Sequence, residues 1–75
     1  MRKRQELIDP NSCFSKARNE EMIFVLLARD VAAPDTIRHW VKRRIELGKN
    51  TADDRQIIEA LQCAERMEAE GITGP

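Results

Sequence analysis

The chain has no tyrosine, one tryptophan and two phenylalanines among its 75 residues. Aromatic side chains bury the most area per residue, so a core must be assembled here from nearly every Ile, Leu and Val, leaving little for a deep pocket. The three glycines are scattered, and no glycine-rich loop exists to bring backbone against a phosphate. The two cysteines, Cys13 and Cys63, stand fifty positions apart. Without a Cys-x-x-Cys pair a zinc site is not expected, and two free thiols fit a cytosolic protein. Neither charge sign is in excess, with thirteen Lys and Arg against thirteen Asp and Glu, which argues against a globally basic nucleic-acid binder. Long hydrophobic runs are also missing. The longest, Met22 to Ala28, has seven residues, whereas a bilayer span takes ~20. The charged N-terminus is not followed by a signal-type apolar segment, so a cytoplasmic location is expected.

What is present sets an all-α expectation. At ~100° per residue, Met22, Ile23, Phe24, Val25, Leu26 and Leu27 would point all the way round a helix, and such a helix must be covered by other elements. The chain carries no second strand-like run to pair with it as a strand. The segment is therefore read as the central helix, from about Glu20 to Asp30, of a small three-to-four-helix bundle. Below ~80 residues a core is thin, so one domain is expected, and self-association into a homodimer would bury leftover apolar surface. The expected organisation is a basic N-terminal arm at 1–8, a single helical domain at 9–72 and a tail at 73–75.

Along the chain, Arg2, Lys3 and Arg4 form either a frayed, solvated terminus or a phosphate-binding arm. Asp9-Pro10, or alternatively Ser12, opens a short helical flap through Cys13, Phe14, Lys16 and Ala17. Asn19 with Glu20 and Glu21 has the composition of the next helix start. Val31-Ala32-Ala33 reads as a turn, and Pro34-Asp35 opens a helix that places Ile37, Trp40, Val41, Ile45 and Leu47 on one arc. Arg38, His39, Lys42, Arg43 and Glu46 fall on the opposite side. Gly48 and Asn50 supply a stop. Thr51 to Asp54 resembles a capping box with Asp in place of Glu, and the last helix carries Ile57, Ala60, Leu61, Ala64 and Met67 on one stripe until Gly71, with Ile72 folding back. Ile58 lies off that stripe and is assigned to a contact with a partner or with a second copy of the chain.

Two charges intrude on the apolar arcs. Arg44 is expected to snorkel past Trp40 and Leu47, or to reach Asp30 or an acid such as Asp54. Glu68 is expected near the start of the third helix, beside Arg38. Charge is also segregated along the chain: residues 1–18 carry five cations against two carboxylates, and 36–50 five against one. The intervening and final stretches are acidic.

No catalytic signature emerges. Cys13, His39 and Asp30 are the right types for nucleophile, base and orienter, but such sets are recognised by geometry, and a non-enzymatic protein without cofactor is expected. Cys13 near a helix start with Lys16 nearby has either a favoured thiolate or a packing role. The acids Glu20, Glu21, Asp53 and Asp54 sit where first helical turns favour them, so no metal is assigned. An anion site made of Ser12, Cys13 and the flap's N–H groups, assisted by Lys16 and with Arg29 and Arg38 closing over it, is a further candidate.

Two resemblances bear on function. Leu27-Ala28-Arg29-Asp30, a turn, and Thr36-Ile37-Arg38-His39-Trp40-Val41-Lys42-Arg43 resemble the helix-turn-helix of transposases and small regulators, with a turn one residue shorter and Ala-Ala-Pro where glycine is customary. That resemblance implies DNA contacts by Arg38, His39, Lys42 and Arg43. Ser12-Cys13, Lys16-Ala17, Ile23 to Leu26, Asp30, Ala33-Pro34, Arg38, Trp40, Cys63-Ala64 and Met67-Glu68 together look like small bacteriophage and prophage proteins. This second resemblance implies a short accessory protein in an infected bacterial cell. It would bind and inhibit a host component, such as a defence enzyme, its ribonucleoprotein complex or its nucleotide signal.

Overall fold

The computed structural model describes residues 2–71. Met1 and residues 72–75 lie outside the described residues, and with them the expected fold-back of Ile72 and the tail at 73–75. Four helical elements occur in chain order: α1 (Lys3–Ile8), α2 (Cys13–Lys16), α3 (Ala33–Glu46) and α4 (Arg55–Gly71). No strand occurs among the described residues.

The centre of the fold is a helical hairpin of α3 against α4. Val41, Ile57 and Ala60 form its buried cluster, with Ile37 packed on them, and Ala33 and Ala64 are fully covered. Alanine at 60 and 64 lets the two backbones approach closely, which suits a core poor in aromatic volume. α3 starts where Asp30 turns the chain. Its carboxylate accepts the N–H of Ala32 at 2.9 Å, and its carbonyl accepts that of Ala33 at 3.0 Å. Pro34 occupies the first helical turn, where its missing N–H costs nothing.

The hairpin turn is closed by Gly48 at φ +71°. The Lys49 N–H donates to the Arg44 carbonyl and the Gly48 N–H to that of Ile45, each at 3.0 Å. This is the Schellman pattern, in which a left-handed residue satisfies the last carbonyls of a helix. Half of the expected capping box is realised at the start of α4. The Asp54 carboxylate accepts the N–H of Thr51 at 3.0 Å and its hydroxyl at 3.1 Å. The Asp54 N–H goes to the Thr51 carbonyl instead of the hydroxyl.

Three expectations are corrected. Residues 20–30 do not form a central helix. Glu21 closes a turn onto Arg18, and Met22 to Leu27 then run without helix, turn or bend. Met22 and Phe24 are 96% and 84% exposed. An all-round apolar helix needs cover on every side, and a two-helix hairpin with one short flanking pair has too little surface to provide it. The basic arm is not frayed over its whole length, because Lys3–Ile8 is helical and Arg2 pairs with Glu70 of α4. Finally, Leu61 stands half out of the α4 stripe, and Trp40, Ile45 and Leu47 are exposed on α3.

Candidate interaction surface

The basic residues singled out on α3 are all exposed, yet they do not form a free cationic face. Arg38 donates both terminal nitrogens to Glu68, one at 3.1 Å, and lies 3.6 Å from Asp35. Hydrogen bonds from Arg38 hold the Glu68 carboxyl below the usual glutamate range. Arg43 pairs with Glu46 one turn on, at 3.8 Å. Of the four residues, His39 and Lys42 are left without an ion pair among the described residues. The helix-turn-helix also lacks its first helix, since 20–30 is irregular. α3 is therefore the first arm of the α3–α4 hairpin, not a recognition helix supported by a preceding one.

The candidate anion site is filled by the chain itself. Ser12 caps α2: its hydroxyl accepts the N–H of Ser15 at 3.1 Å and donates to the Glu6 carbonyl at 2.7 Å. The Glu6 carboxylate accepts the N–H of Phe14 at 3.4 Å. Ser12 is buried while Cys13 and Lys16 are exposed. An internal carboxylate thus occupies the helix start that an external anion would need. The start at Asp9-Pro10 is also displaced, because Asp9 caps the end of α1.

Cys13, His39 and Asp30 do not assemble. Cys13 lies on α2 and His39 on α3, which do not pack on each other, and Asp30 is committed to the turn before α3. Between α1 and α4 runs an open groove of about 580 Å³. Arg2, Glu6, Asp9, Glu59 and Arg66 mix both charge signs along it, so it offers no field of one sign to a ligand.

The two intruding charges are both partnered. Glu68 meets Arg38 as expected. Arg44 reaches neither Asp30 nor Asp54 directly. Its Nε donates to Asn50 Oδ1 at 2.6 Å, and Asn50 Nδ2 donates on to Asp54 Oδ2 at 2.9 Å. The guanidinium also lies over Trp40, 5.6 Å from the ring centroid. The Asp54 carboxyl is held below the ordinary aspartate range by the Thr51 N–H first, then by Asn50 and the Thr51 hydroxyl.

An apolar surface does form on the hairpin. Arg38 and Glu68 touch across it, and Ile45 and Leu61 lie seven residues from each, two turns further along the same faces. In an antiparallel hairpin they therefore sit side by side, and Ile58 follows one step along α4. The three are 40%, 42% and 44% exposed. Sequence reasoning found Ile58 from its position off the stripe. It missed Leu61 and Ile45, because both fit the apolar arcs and only the small width of the hairpin leaves them uncovered.

No protein-family model matches the chain, and no curated protein or solved structure is detectably similar to it.

Proposed function

We propose that the chain is a non-enzymatic binding protein that recognises a macromolecular partner, a bacterial protein or ribonucleoprotein in the cytoplasm, in the manner of the small phage accessory and inhibitor proteins it resembles. The observation that carries this reading is the aliphatic patch of Ile45, Ile58 and Leu61 on one side of the α3–α4 hairpin. Clustered aliphatic side chains bordered by charge, here the Arg38–Glu68 pair, are the usual anatomy of a protein-binding face. The alternatives are a duplex-DNA regulator using Arg38, His39, Lys42 and Arg43, and a nucleotide-like anion binder using Ser12, Cys13, Lys16 and Arg29. Both have less support, since Arg38 and Arg43 are paired with carboxylates and the Glu6 carboxylate occupies the helix start at Ser12.

The test is capture from bacterial lysate by the intact chain and by a Leu61→Glu, Ile58→Glu variant, with and without nuclease. A partner held through the patch loses at least roughly tenfold in capture on substitution, while circular dichroism reports unchanged helix content. Capture indifferent to the two substitutions rejects the patch. Loss of capture with nuclease alone redirects the function to nucleic acid.

A further inference from the structure

We infer that α1 and α2 form a lid that swings away from α4 as one unit, latched shut by the Arg2–Glu70 ion pair, so that ionic strength sets how often it is open. This goes beyond the partner reading above and concerns another face of α4.

The lid moves as a unit because its two helices are fastened to each other. The Ser12 and Ser15 hydroxyls both donate to the Glu6 carbonyl, at 2.7 and 3.2 Å, and the Glu6 carboxylate accepts the Phe14 N–H. α1 packs on α2, and neither packs on α3 or α4. The lid's large apolar side chains, Leu7, Ile8 and Phe14, are all exposed. The apolar burial that joins α3 to α4 is therefore missing between lid and hairpin.

What holds the lid down is polar. Among the described residues, the hydrogen bonds from the lid to the hairpin converge on Glu70, near the end of α4, where both terminal nitrogens of Arg2 donate to its carboxylate at 2.7 and 2.9 Å. Both side chains are open to solvent, and an exposed pair favours its closed geometry by roughly fivefold at most. The strap that joins lid to hairpin, residues 17–32, has neither helix nor strand, and its backbone hydrogen bonds reach at most four positions along the chain. Between lid and α4 lies the open groove, with Gln5, Glu6 and Ile8 of α1 across from Glu59, Cys63 and Arg66 of α4. These walls face each other over open space instead of interlocking. Closed, the lid screens Cys63 and its neighbours; open, it releases that face of α4.

The experiment is energy transfer within the intact chain. Trp40 on α3 is the one tryptophan, and the exposed Cys13 on α2 takes an acceptor dye once Cys63→Ser removes the second thiol. Time-resolved transfer then reads the closed and open populations. They are compared at low salt and at 1 M, where the screening length falls to about 3 Å, in this chain and with Arg2→Glu or Arg66→Gln added. High salt and Arg2→Glu are each expected to shift the balance toward the open form by roughly twofold to fivefold. Arg66→Gln removes a contact of Glu70 within α4 and leaves Arg2 in place, so it is expected to keep the lid closed. Circular dichroism is expected to show α3 and α4 intact throughout. The salt comparison needs no change at position 2, so it stands even where Arg2→Glu disturbs the first turn of α1. A single transfer distance that neither salt nor Arg2→Glu alters overturns the inference, and so does an Arg66→Gln chain that opens as far as Arg2→Glu.

Discussion

Asn50 does more at the hairpin turn than stop a helix. Its side chain accepts from Arg44 and donates to Asp54, with Gln56 Oε1 at 3.2 Å as a second acceptor. It thereby couples the last turn of α3 to the first of α4, and Arg44 is held by a specific polar chain as well as by Trp40. Truncating one member of a partly buried network leaves the others unpaired. Asn50→Ala is expected to cost about 1–2 kcal/mol, and Arg44→Leu about 1 kcal/mol rather than being neutral. Urea melts of the two single variants and the double variant check this. A coupling of at least ~0.5 kcal/mol is expected, and strictly additive costs would mean that Arg44 and Asn50 do not act as a unit.

At the scale of elements, the α3–α4 hairpin depends on Gly48. A Cβ at this position meets nothing within 4 Å, so a substitution there is judged on conformation alone. L-residues in the left-handed region cost roughly 1–2 kcal/mol. Gly48→Ala is therefore expected to destabilise by about 1 kcal/mol, with Gly48→Asn milder because Asn tolerates that region. Thermal melts in which Gly48→Ala is as stable as the parent would contradict the left-handed turn. The stretch 22–27 shows the converse case. Its apolar content favours burial, yet Met22 and Phe24 stay 96% and 84% exposed, because the hairpin and the short flanking pair are too small to cover them.

For the whole molecule, ion pairs join parts distant in sequence. Arg2 grips Glu70 at 2.7 and 2.9 Å, tying the start of α1 to the end of α4, and Arg66 adds a contact at 3.2 Å. Hydrogen bonds from Arg2, then Arg66, lower the Glu70 pKa, as Arg38 lowers that of Glu68. A carboxyl with a lowered folded-state pKa contributes stability that is fully present above its unfolded value, roughly 4.3 for glutamate, and is lost as pH falls through the folded value. Stability is thus expected to be flat near neutrality and to decline on acidification below that range. Glu68→Gln and Glu70→Gln should each make the decline shallower. Because these pairs are solvent-exposed, 1 M salt should weaken the same effect. An acid titration of the melting temperature with identical slopes in all three proteins would show that these pairs do not carry it.

Local chemistry was enough to place both long helices. Pro34-Asp35, the Gly48 stop, Thr51 to Asp54 and the spacing of Val41, Ile57, Ala60 and Ala64 each act within a turn or two, so they can be read without knowing what packs where. The meeting of Arg38 with Glu68 was also legible, since a short connection makes consecutive helices antiparallel and fixes which residues share a level. Residues 22–27 were not legible, because whether an apolar stretch becomes a helix depends on the area available to cover it. Periodicity cannot report that area. The same holds for Ile45 and Leu61, whose exposure follows from the narrowness of a two-helix hairpin, and for Ser12 with Glu6, whose bonds exist only because α1 folds back on α2. Propensities and caps decided where the helices lie; the tertiary structure alone decided which apolar side chains were left outside, because burial is a property of the partners a residue finds.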